Sequence, residues 1–322
     1  EKHFEAYIVQ KLKEQGWLVG ESKKYDTETA LYPEDLQQWM IDSQPKAWAL
    51  LLETNKNDPA QALKTLTTRL IKELEDDKKG MIQVLRRGIS LARIGHVDLS
   101  ESMPEDKRNE DVIKRYKANR LRVVPQLKYH PAREFAIDLG FFINGLPVAT
   151  VEVKTDFTQS ASAAVDQYKK DRLPTDPKTK RKEPLLTFKR GAIVHFAMSD
   201  SDIQMATKLD GDNTFFLPFN KGNNGHAGNA PREDGEYPVA YFWEEICQPD
   251  AWLRIFHSFV YVEKKDVSDI YGNWKKKEKM SVKLLSQNIL SSWIYLLFKP
   301  SSTIPRQLKM KKNSLKPSNV LP

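Results

Sequence analysis

Two runs rich in alternating apolar residues, Glu134–Ile143 (EFAIDLGFFI) and Pro147–Lys154 (PVATVEVK), flank the dipeptide Asn144-Gly145. No other short stretch constrains the fold as tightly. Asn-Gly accepts the left-handed backbone of a tight turn, so the runs are expected to pair as antiparallel strands. Phe135, Ile137, Leu139, Phe141 and Ile143 then share one face with Ala149, Val151 and Val153. The other face carries Asp138 between Ala136 and Gly140, beside Thr150, Glu152 and Lys154. Small neighbours around the acids leave room for a ligand.

The register of this hairpin decides its chemistry. A regular two-residue turn sets residue 138 opposite 151, which puts Asp138 and Glu152 on opposite faces. A three- or five-residue connection, or a two-residue turn with one β-bulge, sets 138 opposite 152 and gathers both apolar faces on the far side. One of these arrangements is expected.

Around the hairpin the period varies. Residues 4–15 carry Phe4, Ile8 and Leu12 on one helical stripe that ends at Gly16, and residues 33–91 read as helices broken near Pro59. A short helix follows around 112–117, then strands at RVVPQLKY, GAIVHFAMS and IQMATKL, a helix over Ser160–Arg172, and a helical stripe over Asp250–Tyr261. Segments 173–184 and 218–238 read as loops. The fold class is therefore α/β, a mixed sheet flanked by helices, with a helical elaboration at about 33–117 preceding the central strands.

The net charge of +8 suggests nucleic acid, but the eight basic residues after Glu278 account for all of it, leaving 43 basic against 43 acidic residues before them. Residues 278–322 therefore stand apart as an atypical basic tail, expected to be partly disordered. A single cysteine, Cys247, excludes an internal disulfide and suits a reducing cytoplasm. Leu284–Phe298 is too short and too interrupted by polar residues to span a bilayer, and the first residues carry no apolar leader, so no membrane association is expected.

The candidate chemistry lies in Asp138, thirteen intervening residues, and Glu152-Val153-Lys154. Two carboxylates on adjacent strands can hold Mg²⁺ with water positions left open, and a lysine two residues on projects from the same strand face, where it can orient water or stabilise developing charge. Spacing alone favours a surface ion pair on a sheet edge; the small residues around the acids move the reading towards a site. The six histidines and one cysteine have no zinc spacing, and no G-x-x-x-x-G-K-[ST] loop occurs, so no ATPase activity is expected of this chain.

AIDLGFFINGLPVATVEVKTDFT, followed by AVDQYKKDR, resembles the nuclease segment in the DNA-cutting (R) subunit of type I restriction enzymes, members of the PD-(D/E)XK nuclease superfamily. The similarity extends through TFKRGAIVHFAMSD, TKLDGDNTFFLPFNKG and YFWEEI, and back to FEAYIVQKLKEQGW and YDTETALYPEDL, roughly residues 3–277. It implies a restriction-endonuclease-like nuclease domain over 1–277, with Asp138 and Glu152 as Mg²⁺ ligands, the Val153 carbonyl completing the metal shell, and Lys154 as the catalytic lysine. Glu5 matches an acidic residue that approaches the metal from the first helix, and a solvated helix-start glutamate is the equal alternative. Gln167 and Tyr168 match a glutamine–tyrosine element which some relatives space as Gln-x-x-x-Tyr; here the two are adjacent and residue 164 is alanine, which favours Tyr168 as a cap on the sheet. The implied function is Mg²⁺-dependent cleavage of double-stranded DNA, in complex with methyltransferase and specificity subunits. ATP would enter only through helicase-like motor domains, which this chain lacks. The alternative is a non-catalytic fragment kept for DNA binding or subunit docking.

Overall fold

The computed structural model describes residues 1–104, 106, 108–155, 160–268 and 274–282, with side chains as far as residue 262. It opens with α1 (Lys2–Glu14), the short β1 (Leu18–Val19), and the helices α2 (Pro33–Ser43), α3 (Pro45–Thr54), α4 (Pro59–Leu74) and α5 (Gly80–Arg87). A hairpin of β2 (Ile89–Leu91) and β3 (Gly95–Val97) follows, then α6 (Glu110–Lys117). Next come β4 (Leu121–Lys128), β5 (Ala136–Ile143), β6 (Leu146–Val153), α7 (Ala161–Lys170), β7 (Val194–Met198), β8 (Ile203–Ala206) and β9 (Leu217–Pro218). The order ends with α8 (Pro249–Arg254), β10 (Val260–Ser268) and β11 (Trp274–Val282).

Seven strands make one sheet in the order β1-β4-β5-β6-β7-β8-β9. The β1–β4 and β6–β7 pairs are parallel and the other neighbours antiparallel, so the sheet is mixed. Its larger core lies against α1 and the helical elaboration, joining Phe4, Ile8 and Leu12 to Leu139, Phe141, Val151 and Trp252. A smaller core on the other face holds Tyr32, Leu127, Phe142, Ala164 and Tyr168.

The helical elaboration owes its segmentation to caps and prolines. Asp58 Oδ1 accepts from the N–H groups of Ala60 (2.9 Å) and Gln61 (3.3 Å), and Pro59 takes the first helical position, where no N–H is needed. Leu66, Leu70 and Leu74 then bury one stripe of α4. Replacing Asp58 by alanine should lower stability by about 1 kcal/mol, read as a reduced urea midpoint at unchanged slope. The expected helical stretch to Leu91 stops earlier. Gly88, at φ +60°, turns the chain into β2, and a Cβ there would lie 2.0 Å from the Val97 carbonyl oxygen. Buried Asp35 fixes α2 to the sheet by accepting from Arg120 Nε (2.7 Å) and from Arg122 Nε and Nη2 (2.5 and 2.8 Å).

The hairpin adopts a two-residue turn corrected by one bulge. Ile143 pairs with Leu146 and Phe142 with Pro147, then Phe141 pairs with Ala149, so Val148 is the extra residue. Asn144 and Gly145 have φ +50° and +84°, and a Cβ on Gly145 would meet the Tyr32 carbonyl oxygen at 2.5 Å. Beyond the bulge Gly140 faces Thr150 and Leu139 faces Val151, the last pair of the ladder; the same register extended by one residue sets Asp138 against Glu152.

One face assignment changes. Ile137 joins Leu127 in the smaller core instead of Leu139 in the larger one, and Phe135 is exposed. Between Pro125, paired with Leu139, and Leu127, paired with Ile137, stands Gln126 at φ +46°. This left-handed residue reverses the pleat next to Asp138. Strand β11 runs to Val282, across the boundary expected at 277, and the rest of the expected basic tail, 283–322, lies outside the described residues. Among the described residues no helix is long and apolar enough to cross a membrane.

Candidate active site

Strands β5 and β6 bring Asp138 and Glu152 together, and the first turn of α1 lies over them. Asp138 Oδ2 accepts the Val153 N–H at 2.7 Å, and its Oδ1 accepts from Gln126 Nε2 at 3.2 Å. The same Gln126 amide donates to Glu5 Oε2 at 2.7 Å, so one side chain bridges two carboxylates. Glu152 is fully buried; its Oε1 accepts from Arg172 Nε at 2.5 Å, while Oε2 has no hydrogen-bond partner. Lys154 is nearly buried and pairs with Glu1 Oε1 at 3.1 Å. Glu1 and Glu5, four residues apart, thus reach the same site from one face of the helix.

Charge is crowded here. Burial pushes the Glu152 carboxyl up to about 8, helped by Asp138 and opposed by Arg172. Burial also raises Glu5, with the Gln126 hydrogen bond opposing and Asp138 adding to the rise. Glu5, Asp138 and Glu152 are thus held by one amide and one arginine, so three carboxyls share few positive partners. Among the described residues no cluster of three or more acidic, histidine or cysteine side chains has metal-binding geometry, so the candidate ligand pair remains Asp138 and Glu152.

The sequence of this chain matches the family model described as the type I restriction enzyme R protein N terminus over residues 1–214. The chain belongs to that family. Its seven-stranded mixed sheet flanked by helices is that of a restriction-endonuclease-like fold. No curated protein matches the chain.

In this R-protein N terminus Tyr168 on α7 lies near enough to Glu152 and Asp138 for their charges to add to the rise that burial gives its pKa, but its hydrogen bond runs elsewhere. Tyr168 is fully buried, and its hydroxyl meets Thr150 Oγ1 at 2.8 Å, which in turn meets His195 Nδ1 at 2.7 Å. Burial holds His195 neutral, with its pKa lowered to about 3, and raises Tyr168 well above the usual tyrosine range. This uncharged chain braces β6 two residues before Glu152, as a cap on the sheet would. Gln167 is half-buried; its carbonyl accepts from the N–H groups of Asp171 (2.8 Å) and Arg172 (3.2 Å) and so closes the helix.

Sequence reasoning assigned no role to Gln126 or Arg172. Arg172 ends the segment AVDQYKKDR, and besides Glu152 it donates to the Ala136 carbonyl at 2.7 Å. Gln126 lies across the ladder from Asp138, a position that follows once the β4–β5 register is known.

Proposed function

We propose that this chain is the DNA-cleaving part of a type I restriction enzyme R subunit, a Mg²⁺-dependent endonuclease acting on double-stranded DNA. The observation that carries this reading is the bulge-corrected pairing of β5 with β6, which turns Asp138 and Glu152 to one face with Glu152 Oε2 buried and unpartnered. Asp138 and Glu152 would hold the cation. Val153 gives its N–H to Asp138, and both main-chain groups of an extended residue leave by the same strand edge, so its carbonyl is the one on that side. A bound divalent cation supplies polarisation of the phosphoryl oxygen and acidification of water. Lys154, released from Glu1, would place its ammonium beside the charge that develops on the phosphoryl group. Arg172 fixes one Glu152 oxygen and leaves the other free. Glu5, held by Gln126, would reach the metal or its water from α1.

Methyltransferase and specificity subunits would deliver the substrate, and ATP-driven motor domains would act beside this chain, in the cytoplasm. Titration of the isolated chain with Mn²⁺, followed by paramagnetic resonance, tests the site. Binding that disappears in Asp138→Ala supports the reading, and equal binding by both proteins overturns it.

A DNA backbone also needs cations near the cut. Arg172 leads into the loop 173–184, where Lys178, Lys180 and Lys182 are exposed while Asp176 and Glu183 are buried. Asp176 braces this loop, accepting from the N–H groups of Lys178 and Thr179 at 2.8 Å and pairing with Arg133 Nη1 at 2.8 Å. Changing the three lysines to glutamine should reduce the salt dependence of duplex binding by about 0.9 per lost phosphate contact in log–log slope, measured by fluorescence anisotropy. An unchanged slope would remove this loop from the DNA path.

A further inference from the structure

A cavity of about 490 Å³ opens between α4, α5 and the β2–β3 hairpin, and none of its lining residues belongs to the carboxylate site. Arg69, Lys78, Lys79 and Arg87 line it, and Glu73 is the only acid among the lining residues. Glu73 is buried and shared, pairing with both Arg69 and Lys79. One carboxylate thus offsets two cations, and Lys78 and Arg87, both exposed, add two more positive charges to the same concave wall. The α5 C-terminus favours a nearby cation such as Arg87. The Arg69 Nε–H is a buried donor without an acceptor.

Gathering cations in a concavity concentrates positive potential there, which suits an anion. The chemistry of the wall narrows the class. A guanidinium fork matches phosphate oxygens in pairs, and lysines add point charges. No Phe, Tyr or Trp lines the cavity, and its only ring, the His96 imidazole, is tied to Asp98 Oδ1 at 3.0 Å, so it lacks the broad stacking surface that favours a nucleobase. The floor is fixed by Gly88, whose close approach to the Val97 carbonyl admits no side chain.

We propose that this cavity is a phosphate-binding site, remote from the nuclease centre, which takes the phosphate group through Lys78 and Arg87. Free phosphate and a nucleic-acid backbone present the same oxygens, and the test separates the two sources. The test uses the full chain and a Lys78→Gln/Arg87→Gln double variant, with inorganic phosphate by calorimetry and a 30-base-pair duplex by anisotropy as probes. Both substituted side chains are exposed, so the thermal unfolding transition should stay in place. Wild type should bind phosphate at least tenfold more tightly than the double variant, while Asp138→Ala binds it like wild type. A tenfold loss seen only with the duplex, together with a salt slope reduced by about 1.8, identifies the nucleic-acid backbone as the source. Equal binding of each probe by wild type and double variant, or no binding of either probe by wild type, overturns the proposal. Loss of phosphate binding in Asp138→Ala overturns it too, because the anion would then depend on the carboxylate site.

Discussion

Asp138→Ala and Glu152→Ala should each stop DNA cleavage by the assembled restriction enzyme, with a rate loss on the order of 10³-fold or more, because the cation that stabilises the developing charge loses a ligand in either variant. Lys154→Ala should lose cleavage while keeping most of the metal affinity, because its ammonium takes no part in holding the cation. The two acidic substitutions differ in their effect on folding. Removing Asp138 deprives the Val153 N–H of its acceptor but relieves repulsion on Glu152, two small and opposed effects. Removing Glu152 takes the acceptor from the buried Arg172 Nε–H, which typically destabilises by about 1–3 kcal/mol. Glu152→Gln, which keeps an acceptor for Arg172, is therefore the cleaner catalytic test. Cleavage of a circular plasmid by the reconstituted complex, with translocation followed in parallel, is the measurement. A variant that translocates and still cuts at the wild-type rate in Mg²⁺ would dismiss the residue concerned from the site.

Much of this site could be read from the chain because two periodicities meet there. Alternation in β5 and β6 separates the apolar residues from Asp138, Glu152 and Lys154. The side-chain period of two then makes the register argument decisive, since a regular Asn-Gly hairpin would have split the carboxylates, and Val148 supplies the single-residue correction. The readings that failed, or were never made, rest on long-range or single-residue backbone events. Nothing in the residue type announces that Gln126 adopts φ +46°, yet that turn moves Ile137 to the other core and carries the amide to Glu5 and Asp138. The bond from Arg172 to Glu152 joins residues twenty apart, across a helix whose end is set by capping of the Gln167 carbonyl. Hairpins β2–β3 and β10–β11 were missed for a local reason: the first is hidden behind the strong helical period of α5, and the second carries lysine-rich strands without an apolar alternation. Tyr168 lies under the sheet because Ala164, one helical turn earlier, leaves space for the ring to pack beside His195 at 5.7 Å.

Replacing Arg172 by glutamine should change how stability depends on pH, and the sign follows from Glu152. Its carboxyl titrates near 8 in the folded chain, against an ordinary value of 4.5, because burial and Asp138 outweigh the opposing effect of Arg172. A raised folded pKa means that the fold favours the protonated form. The stability this confers is fully present below about pH 4.5 and is lost as pH rises through about 8, at up to about 1.4 kcal/mol per pH unit in between. Without the Arg172 cation the titration moves higher still, so the decline should continue above pH 8. A divalent cation works in the opposite direction, since it binds the carboxylate and must displace the proton. Between pH 6 and 8 its affinity should therefore rise by up to about tenfold per unit and then level off. Thermal unfolding of wild type, Glu152→Gln and Arg172→Gln from pH 5 to 9.5, with and without Mg²⁺, separates these effects. Glu152→Gln provides the baseline from every other titrating group. If all three proteins follow one pH profile, Glu152 is ionised throughout that range. The coupling between its proton, Arg172 and the metal would then be absent, and the arginine would be no more than a packing residue.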